Sequence, residues 1–221
     1  MLSRFDRALL AALAVYVLLL LALPLLVPAP ALKRVLSESG PFEVGALLLW
    51  LGAAVVLAVR IRPFTARTLA FATLMLLFAA READLQKAFT AESVSRLHYY
   101  RKVAAPLMEK LAAAGAALLF VALVAYAAFV CGRFLLRGGL KSRSGLWLAL
   151  AAGLIVVTKL VDRTQGFLAT GFGVSLPPGT GQFMAAFEEG MEAVLPMLFA
   201  VSAWISQNER PYLSGSDRAL K

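Results

Sequence analysis

The chain of 221 residues has few of the side chains on which most metal, redox and nucleophilic sites depend. It contains one cysteine, Cys131, and one histidine, His98. A disulfide framework, a cysteine metal cluster and a redox pair each need at least two cysteines, so all three are excluded. A histidine-rich metal centre is excluded for the same reason. The chain also lacks the glycine-rich phosphate loop, the Gly-x-Ser-x-Gly elbow and the His-Glu-x-x-His motif.

Charge is scarce as well. Only 16% of the residues are charged, and 61% are hydrophobic, whereas apolar residues make up about half of a soluble chain. This composition indicates a polytopic membrane protein. The net charge of +9 comes from basic residues scattered between hydrophobic runs. These residues form no basic patch, so we expect no nucleic-acid partner and interpret the charge as a topology signal.

Apolar segments alternate with short polar connections, and each is long enough to form a membrane-spanning helix. The predicted spans are residues 8–27, 43–60, 68–85, 104–130, 146–164 and 183–205, followed by a short polar tail at 206–221. The first run exceeds the 7–15 apolar residues of a secretory signal, so we expect it to be retained. The sequence therefore predicts an all-α fold, with one six-helix transmembrane domain.

The distribution of basic residues predicts the orientation. The connections after the second and fourth spans are short and rich in arginine and lysine, as cytoplasmic loops are. The residues concerned are Arg60, Arg62, Arg67, Arg133, Arg137, Lys141 and Arg143. Both termini are then cytoplasmic, and the protein is expected in the inner (plasma) membrane. Of the 13 acidic residues, all but Asp6, Glu209 and Asp217 fall on the outer side.

The sixth span opens with three glutamates. Glu188, Glu189 and Glu192 fall within roughly a third of a helix circumference, so they share one face. An ionisable side chain within a span is a candidate functional residue, because it is expensive to place in hydrocarbon. These three carboxylates are also the candidate ligands for a metal, which would be a divalent cation on oxygen ligands.

Charges in spans three to six are predicted to lie at similar depth. At 1.5 Å per residue they fall roughly 7–13 Å below the outer boundary, so we expect them to face one another or a water-filled pocket. The predicted binding residues are Arg81, Glu82, Glu109, Lys159, Asp162, Arg163, Glu188, Glu189 and Glu192. Counted with Asp84 and Lys110, this layer holds more carboxylates than bases. Bound protons or a cation would compensate for the excess.

A purely structural interpretation of the same layer is that its charges form interhelical ion pairs that only fix the packing. Arg81 with Glu189 and Lys159 with Glu192 match in depth. Secondary candidates for the pocket lie at its rim or in the adjoining connection, and they are Asp84, His98, Tyr99, Tyr100, Arg101 and Glu43. Asp84 and the tyrosines also suit an ordinary membrane interface.

Two connections on the outer side carry further expectations. The aromatic and basic segment 86–103 is predicted to form an interfacial helix. The glycine-rich and proline-rich segment 165–182 is expected to be irregular backbone that folds over the pocket as a lid.

Three functional hypotheses are compatible with this pattern. The first is binding or translocation of a cation or small polar solute, with protons as coupling ions. The second is an enzyme that acts on a lipid or lipid-linked head group at the outer leaflet. The third is a non-catalytic subunit of a membrane complex. The expected partners are membrane lipid, a small-molecule or ion ligand, and a second copy or partner subunit. The sequence itself names no substrate.

Overall fold

The computed structural model describes residues 2–37, 40–85, 106–174 and 176–216, and every regular element within these ranges is a helix. In chain order the helices are α1 (Arg4–Leu26), α2 (Ala29–Val35), α3 (Pro41–Arg60), α4 (Ala66–Glu82), α5 (Leu107–Leu136), α6 (Arg143–Phe172) and α7 (Pro178–Ser216). A single 3₁₀ turn, Gly139–Lys141, joins α5 to α6. The all-α prediction is confirmed.

Four helices are long and apolar enough to cross a membrane: α1, α3, α5 and the Arg143–Thr164 part of α6. The 17-residue α4 and the glutamate-bearing α7 fall outside this set. The surface of the molecule is strongly apolar, since side chains such as Leu18, Leu48 and Val121 are more than 60% exposed. Polar side chains such as Asp6 and Thr158 are buried instead. This arrangement is that of a membrane protein, in which lipid is the outer solvent.

Local sequence signals explain where the helices begin and end. The hydroxyl of Ser3 caps the N-terminus of α1, and Asp6 bonds back to Ser3 in a capping box. Thr65 and Thr68 form the equivalent pair at the start of α4. At the other end of a helix, Gly173 terminates α6 with φ of 65°, a left-handed conformation that glycine adopts without steric cost.

The central helix is α7, which packs against α1, α3 and α6. On the side away from α7, α3 packs against α4, and α4 in turn contacts α5. A row of aromatic rings links these helices: Trp50 stacks on Phe78 with 4.5 Å between ring centroids, and Phe199 lies 6.2 Å from Trp50 on the other side. Phe120 extends the row to α5 with an edge-on contact to Phe78.

The predicted lid over the pocket is wrong for most of its length. Helix α6 continues to Phe172 and α7 begins at Pro178, so only residues 173–177 lie between them. Glycine inside a helix costs only about 1 kcal/mol relative to alanine, so Gly166 and Gly171 do not end α6. The Thr164 and Thr170 hydroxyls donate to the backbone oxygens of Leu160 and Gly166, one turn earlier in the same helix.

Two other segments that were expected to be irregular also contain helix. The segment after the first span contains the short helix α2, and α7 runs on to Ser216, into the segment expected to form a tail. The predicted interfacial helix at 86–103 lies outside the described residues.

The aromatic row generates a prediction for stability. Trp50 is 4% exposed, so Trp50→Ala leaves a cavity between α3, α4 and α7. We expect a loss of about 3 kcal/mol, the low end for such a truncation because lipid supplies little hydrophobic driving force between helices. Phe129→Ala, at a side chain 64% exposed, is the matched control. Unfolding in mixed detergent micelles, followed by circular dichroism, measures both, and equal losses would contradict the assigned core.

Candidate functional site

The three glutamates of α7 lie on the turn where α7 meets α1. Between them, Gly190 is buried, and its backbone oxygen accepts a hydrogen bond of 2.8 Å from the Tyr16 hydroxyl. A Cβ atom at Gly190 would overlap the side chain of Leu20, so a larger residue there would require that side chain to shift. The contact fixes the glutamate turn against α1.

Charges from three further helices lie within electrostatic range of this turn. Glu189 interacts with Glu82 on α4, with Glu43 on α3 and with Lys159 on α6. Glu188 interacts with Asp162 and Lys159, both on α6. We name this group the glutamate cluster and define it as Glu82, Lys159, Asp162, Glu188, Glu189 and Glu192, with Glu43 at its rim. Four helices, α3, α4, α6 and α7, therefore contribute charge to one site. The depth argument expected charges from α4, α5, α6 and α7, with Glu43 of α3 only as a candidate at the rim.

Two ion pairs neutralise part of the glutamate cluster. Lys159 Nζ lies 2.6 Å from Glu192 Oε1, and the two side chains are 48% and 26% exposed. Arg163 Nε lies 3.7 Å from Asp162 Oδ2 within α6, and the Arg163 side chain is largely exposed. The first pair joins α6 to α7 and is one of the two interhelical pairs that the sequence suggested.

An excess of negative charge remains. Within the described ranges, the side chains of Glu82, Glu188 and Glu189 make neither a hydrogen bond nor an ion pair with other residues. Arg81 lies within electrostatic range of Glu82. Even with Arg81 counted against Glu82, two glutamates stay unbalanced on a face that is not fully buried. The arrangement can hold a positive charge.

The remaining predicted site residues are placed as follows. In the part of the chain that the structure describes, no ion pair joins Arg81 to Glu189, the second suggested pair. Glu109 begins α5, a helix that contacts the bundle through α4 and the turn before α6. Asp84 follows α4 with φ of 49°. Four secondary candidates lie outside the described residues: His98, Tyr99, Tyr100 and Arg101.

The carboxylates are also not arranged as a metal centre. Among the described residues, no group of three or more Asp, Glu, His or Cys side chains could hold a metal ion. The proposed metal ligands Glu188, Glu189 and Glu192 are close in sequence but do not converge on one point.

A second polar cluster, at the opposite end of the bundle, was not identified from the sequence as a site. The Asp6 carboxylate is fully buried. It accepts hydrogen bonds from Arg143 Nε at 2.7 Å, from Trp147 Nε1 at 3.0 Å, and from the backbone and hydroxyl of Ser3 at 2.7 Å each. Asp6 thus ties α1 to the start of α6.

Glu209 of α7 completes this cluster by capping α6. Its carboxylate accepts hydrogen bonds from the backbone N–H groups of Arg143 and Ser144, at 2.9 and 3.1 Å, and from the Ser144 hydroxyl at 2.6 Å. A negative charge is favourable at a helix N-terminus, where N–H groups lack partners within the helix. We call Ser3, Asp6, Arg143, Ser144, Trp147 and Glu209 the Asp6–Arg143 network. Ser3 and Asp6 in capping-box spacing were its only local signal.

Comparison with known proteins gives no independent indication of function: no family model, curated protein or solved structure matches this chain.

The Asp6–Arg143 network generates a prediction about coupling. Asp6→Ala removes the acceptor shared by Arg143 and Trp147, so we expect a loss of about 3 kcal/mol, the lower end for one partner of a buried pair because Arg143 is partly exposed. Arg143→Met should cost more, because it leaves the buried Asp6 carboxylate without its charged partner. The double variant should be more stable than the sum of the two losses predicts. Unfolding in mixed micelles measures the coupling, and strict additivity would contradict the assigned interaction.

Proposed function

We propose that this chain is a six-span protein of the inner (plasma) membrane that binds a small cationic solute at the glutamate cluster, on the outer side. The observation that carries the proposal is a shortage of bases: among the described residues, Lys159 is the one base that pairs between helices with the carboxylates of α4, α6 and α7. The Lys159 ammonium group forms an ion pair with Glu192 at 2.6 Å. Glu82, Glu188 and Glu189 have no ion pair among the described residues. A second ammonium or amidinium group would supply the missing charge.

The six-span topology is supported by the packing of α4 and α7, the two long helices that are not among the four apolar ones. Helix α7 lies against α1, α3 and α6, three of the four apolar helices, and α4 lies between α3 and α5. Helices held inside such a bundle cross the membrane with it. Their charged side chains then face protein, which lowers the cost of placing them at that depth.

The orientation is supported by the contacts of the two clusters. The Asp6–Arg143 network joins the N-termini of α1 and α6 to the C-terminal part of α7. This is the end that carries the arginine-rich connections, and such connections stay in the cytoplasm. The glutamate cluster lies at the other end of α6 and α7, which makes it outward-facing.

The solute class is inferred from the arrangement of the carboxylates. Because no three of them are arranged to hold a metal among the described residues, an organic cation with several N–H donors fits better than a bare metal ion. Protons would compete for the same oxygens, which is the basis for proton coupling if the solute is carried across the membrane. No specific contact favours the lipid-enzyme or partner-subunit hypotheses, and they remain alternatives.

The proposal predicts that organic cations stabilise the purified protein. A ligand at a hundred times its Kd adds about 2.7 kcal/mol to the stability of the folded state, so the unfolding midpoint should rise with the concentration of a simple alkyl diamine. Glu188→Gln/Glu189→Gln should abolish the rise, whereas Asp217→Asn, which removes one charge from the tail, should not. Acidification should weaken the effect because protons compete with the cation.

The same titration with sodium, magnesium and calcium separates an organic cation from a metal. A rise with a divalent metal but not with the diamine would contradict the proposed solute class. No response to any cation at neutral pH would contradict the proposed function, and assays for lipid turnover or co-purifying subunits would follow.

The Lys159–Glu192 pair gives a prediction that separates binding from packing. Lys159→Met/Glu192→Leu replaces both partners with apolar side chains of similar size, and such exchanges of paired charges are often neutral for stability. We expect the fold to persist, as judged by gel filtration and thermal unfolding, and the response to the diamine to remain, because the pair is electrically neutral and Glu82, Glu188 and Glu189 are retained. A response that is lost or at least tenfold weaker would contradict the assignment of the cation to these three glutamates.

A further inference from the structure

The last turns of α5 carry a groove that belongs to neither charged cluster. The groove encloses about 440 Å³ and is lined by Ala128, Phe129, Gly132, Arg133, Leu136 and Arg137. These residues form two adjacent rows at four-residue spacing, so the groove runs along the helix between two ridges. Gly132 keeps it open, because a Cβ atom there would meet nothing within 4 Å.

Apolar and basic side chains alternate along the groove. Phe129 and Leu136 face outward, with exposed fractions of 64% and 88%. Arg133 and Arg137, one helical turn apart in the same row, are also exposed.

The two arginines have no protein counter-charge in the part of the chain described. Neither Arg133 nor Arg137 makes an ion pair there. Asp6 and Glu209, the acids among the described residues at this end, already accept hydrogen bonds from Arg143 and Ser144. The positive-inside rule accounts for arginines at this end of α5, but not for the open apolar groove that leads to two of them.

We propose that this groove binds an anionic phospholipid of the leaflet at the Asp6–Arg143 end, with one acyl chain between the ridges and the phosphate at Arg133 and Arg137. Charge complementarity at the two arginines, together with the exposed apolar side chains of Phe129 and Leu136 beside them, selects a lipid over a soluble anion. Basic sites next to apolar helix surfaces recognise lipid head groups in this way. The inference is independent of the proposed function, since it involves another helix and the opposite end of the bundle.

The experiment measures retained lipid by native mass spectrometry. The full-length protein is reconstituted into vesicles of an equal mixture of phosphatidylcholine and phosphatidylglycerol, extracted in mild detergent, and titrated with phosphatidylglycerol. Arg133→Gln/Arg137→Gln should weaken binding about thirtyfold, because each basic residue near an anionic surface contributes about a factor of five. Arg4→Gln/Arg7→Gln removes two exposed arginines from the same end, on α1, and should change binding less than threefold.

A second variant tests the acyl-chain part of the groove separately from charge. Gly132→Leu adds an apolar side chain to the groove at a position where a Cβ atom meets nothing within 4 Å, and we expect it to weaken phosphatidylglycerol binding at least fivefold while both arginines remain. The proposal is overturned if Arg133→Gln/Arg137→Gln and Arg4→Gln/Arg7→Gln lose affinity equally, or if Gly132→Leu binds phosphatidylglycerol like the unaltered chain. It is also overturned if inorganic phosphate at millimolar concentration displaces the bound lipid.

Discussion

The buried carboxylate of Asp6 constrains the rest of this bundle. A charge with no access to water must be satisfied by protein donors, and Asp6 finds them in Ser3, Arg143 and Trp147. This requirement fixes the start of α6 against α1. Because the first N–H groups of α6 are capped by Glu209, the same point also fixes the register of α7. The helices that carry the glutamate cluster are therefore aligned from the opposite end.

The spacing between the two clusters follows from helix geometry. Lys159 lies about 24 Å from Arg143 along α6, and Glu192 about 26 Å from Glu209 along α7. The two rises agree because the helices are held antiparallel at one end and packed along their length. Between the clusters lies the aromatic row of Phe199, Trp50 and Phe78. Charge is thus confined to two layers separated by nearly the thickness of a bilayer core.

The sequence sufficed for features that depend on one helix at a time. Hydropathy located the long apolar helices, and helical periodicity placed Glu188, Glu189 and Glu192 on one face. Depth alone also matched Lys159 with Glu192, but it matched Arg81 with Glu189 equally well, and only the first pair forms in the described residues. Depth fixes the layer in which a charge lies, whereas the order of helices around the bundle decides its neighbours.

Other features required long-range information or a balance of small terms. Asp6 and Arg143 are 137 positions apart, so nothing local in the sequence indicates that they meet. The extent of α6 was missed because Gly166 and Gly171 suggested a loop. Each costs only about 1 kcal/mol in a helix, which the continuing hydrogen bonds of α6 offset. Turn-forming residues are weak evidence for a loop when an apolar helix leads into them.

The two charged layers differ in how completely their charges are matched, and this difference carries the functional argument. In the Asp6–Arg143 network both carboxylates have several donors, as expected of a structural element. In the glutamate cluster one interhelical base serves several acids. Unmatched carboxylates would be costly at the bilayer centre. The proposed outward-facing position, about 25 Å from the opposite network, would place them towards the edge of the hydrocarbon, where water lowers that cost. The same position would let a solute reach the cluster, so the location that tolerates the excess charge would also make it accessible to a ligand.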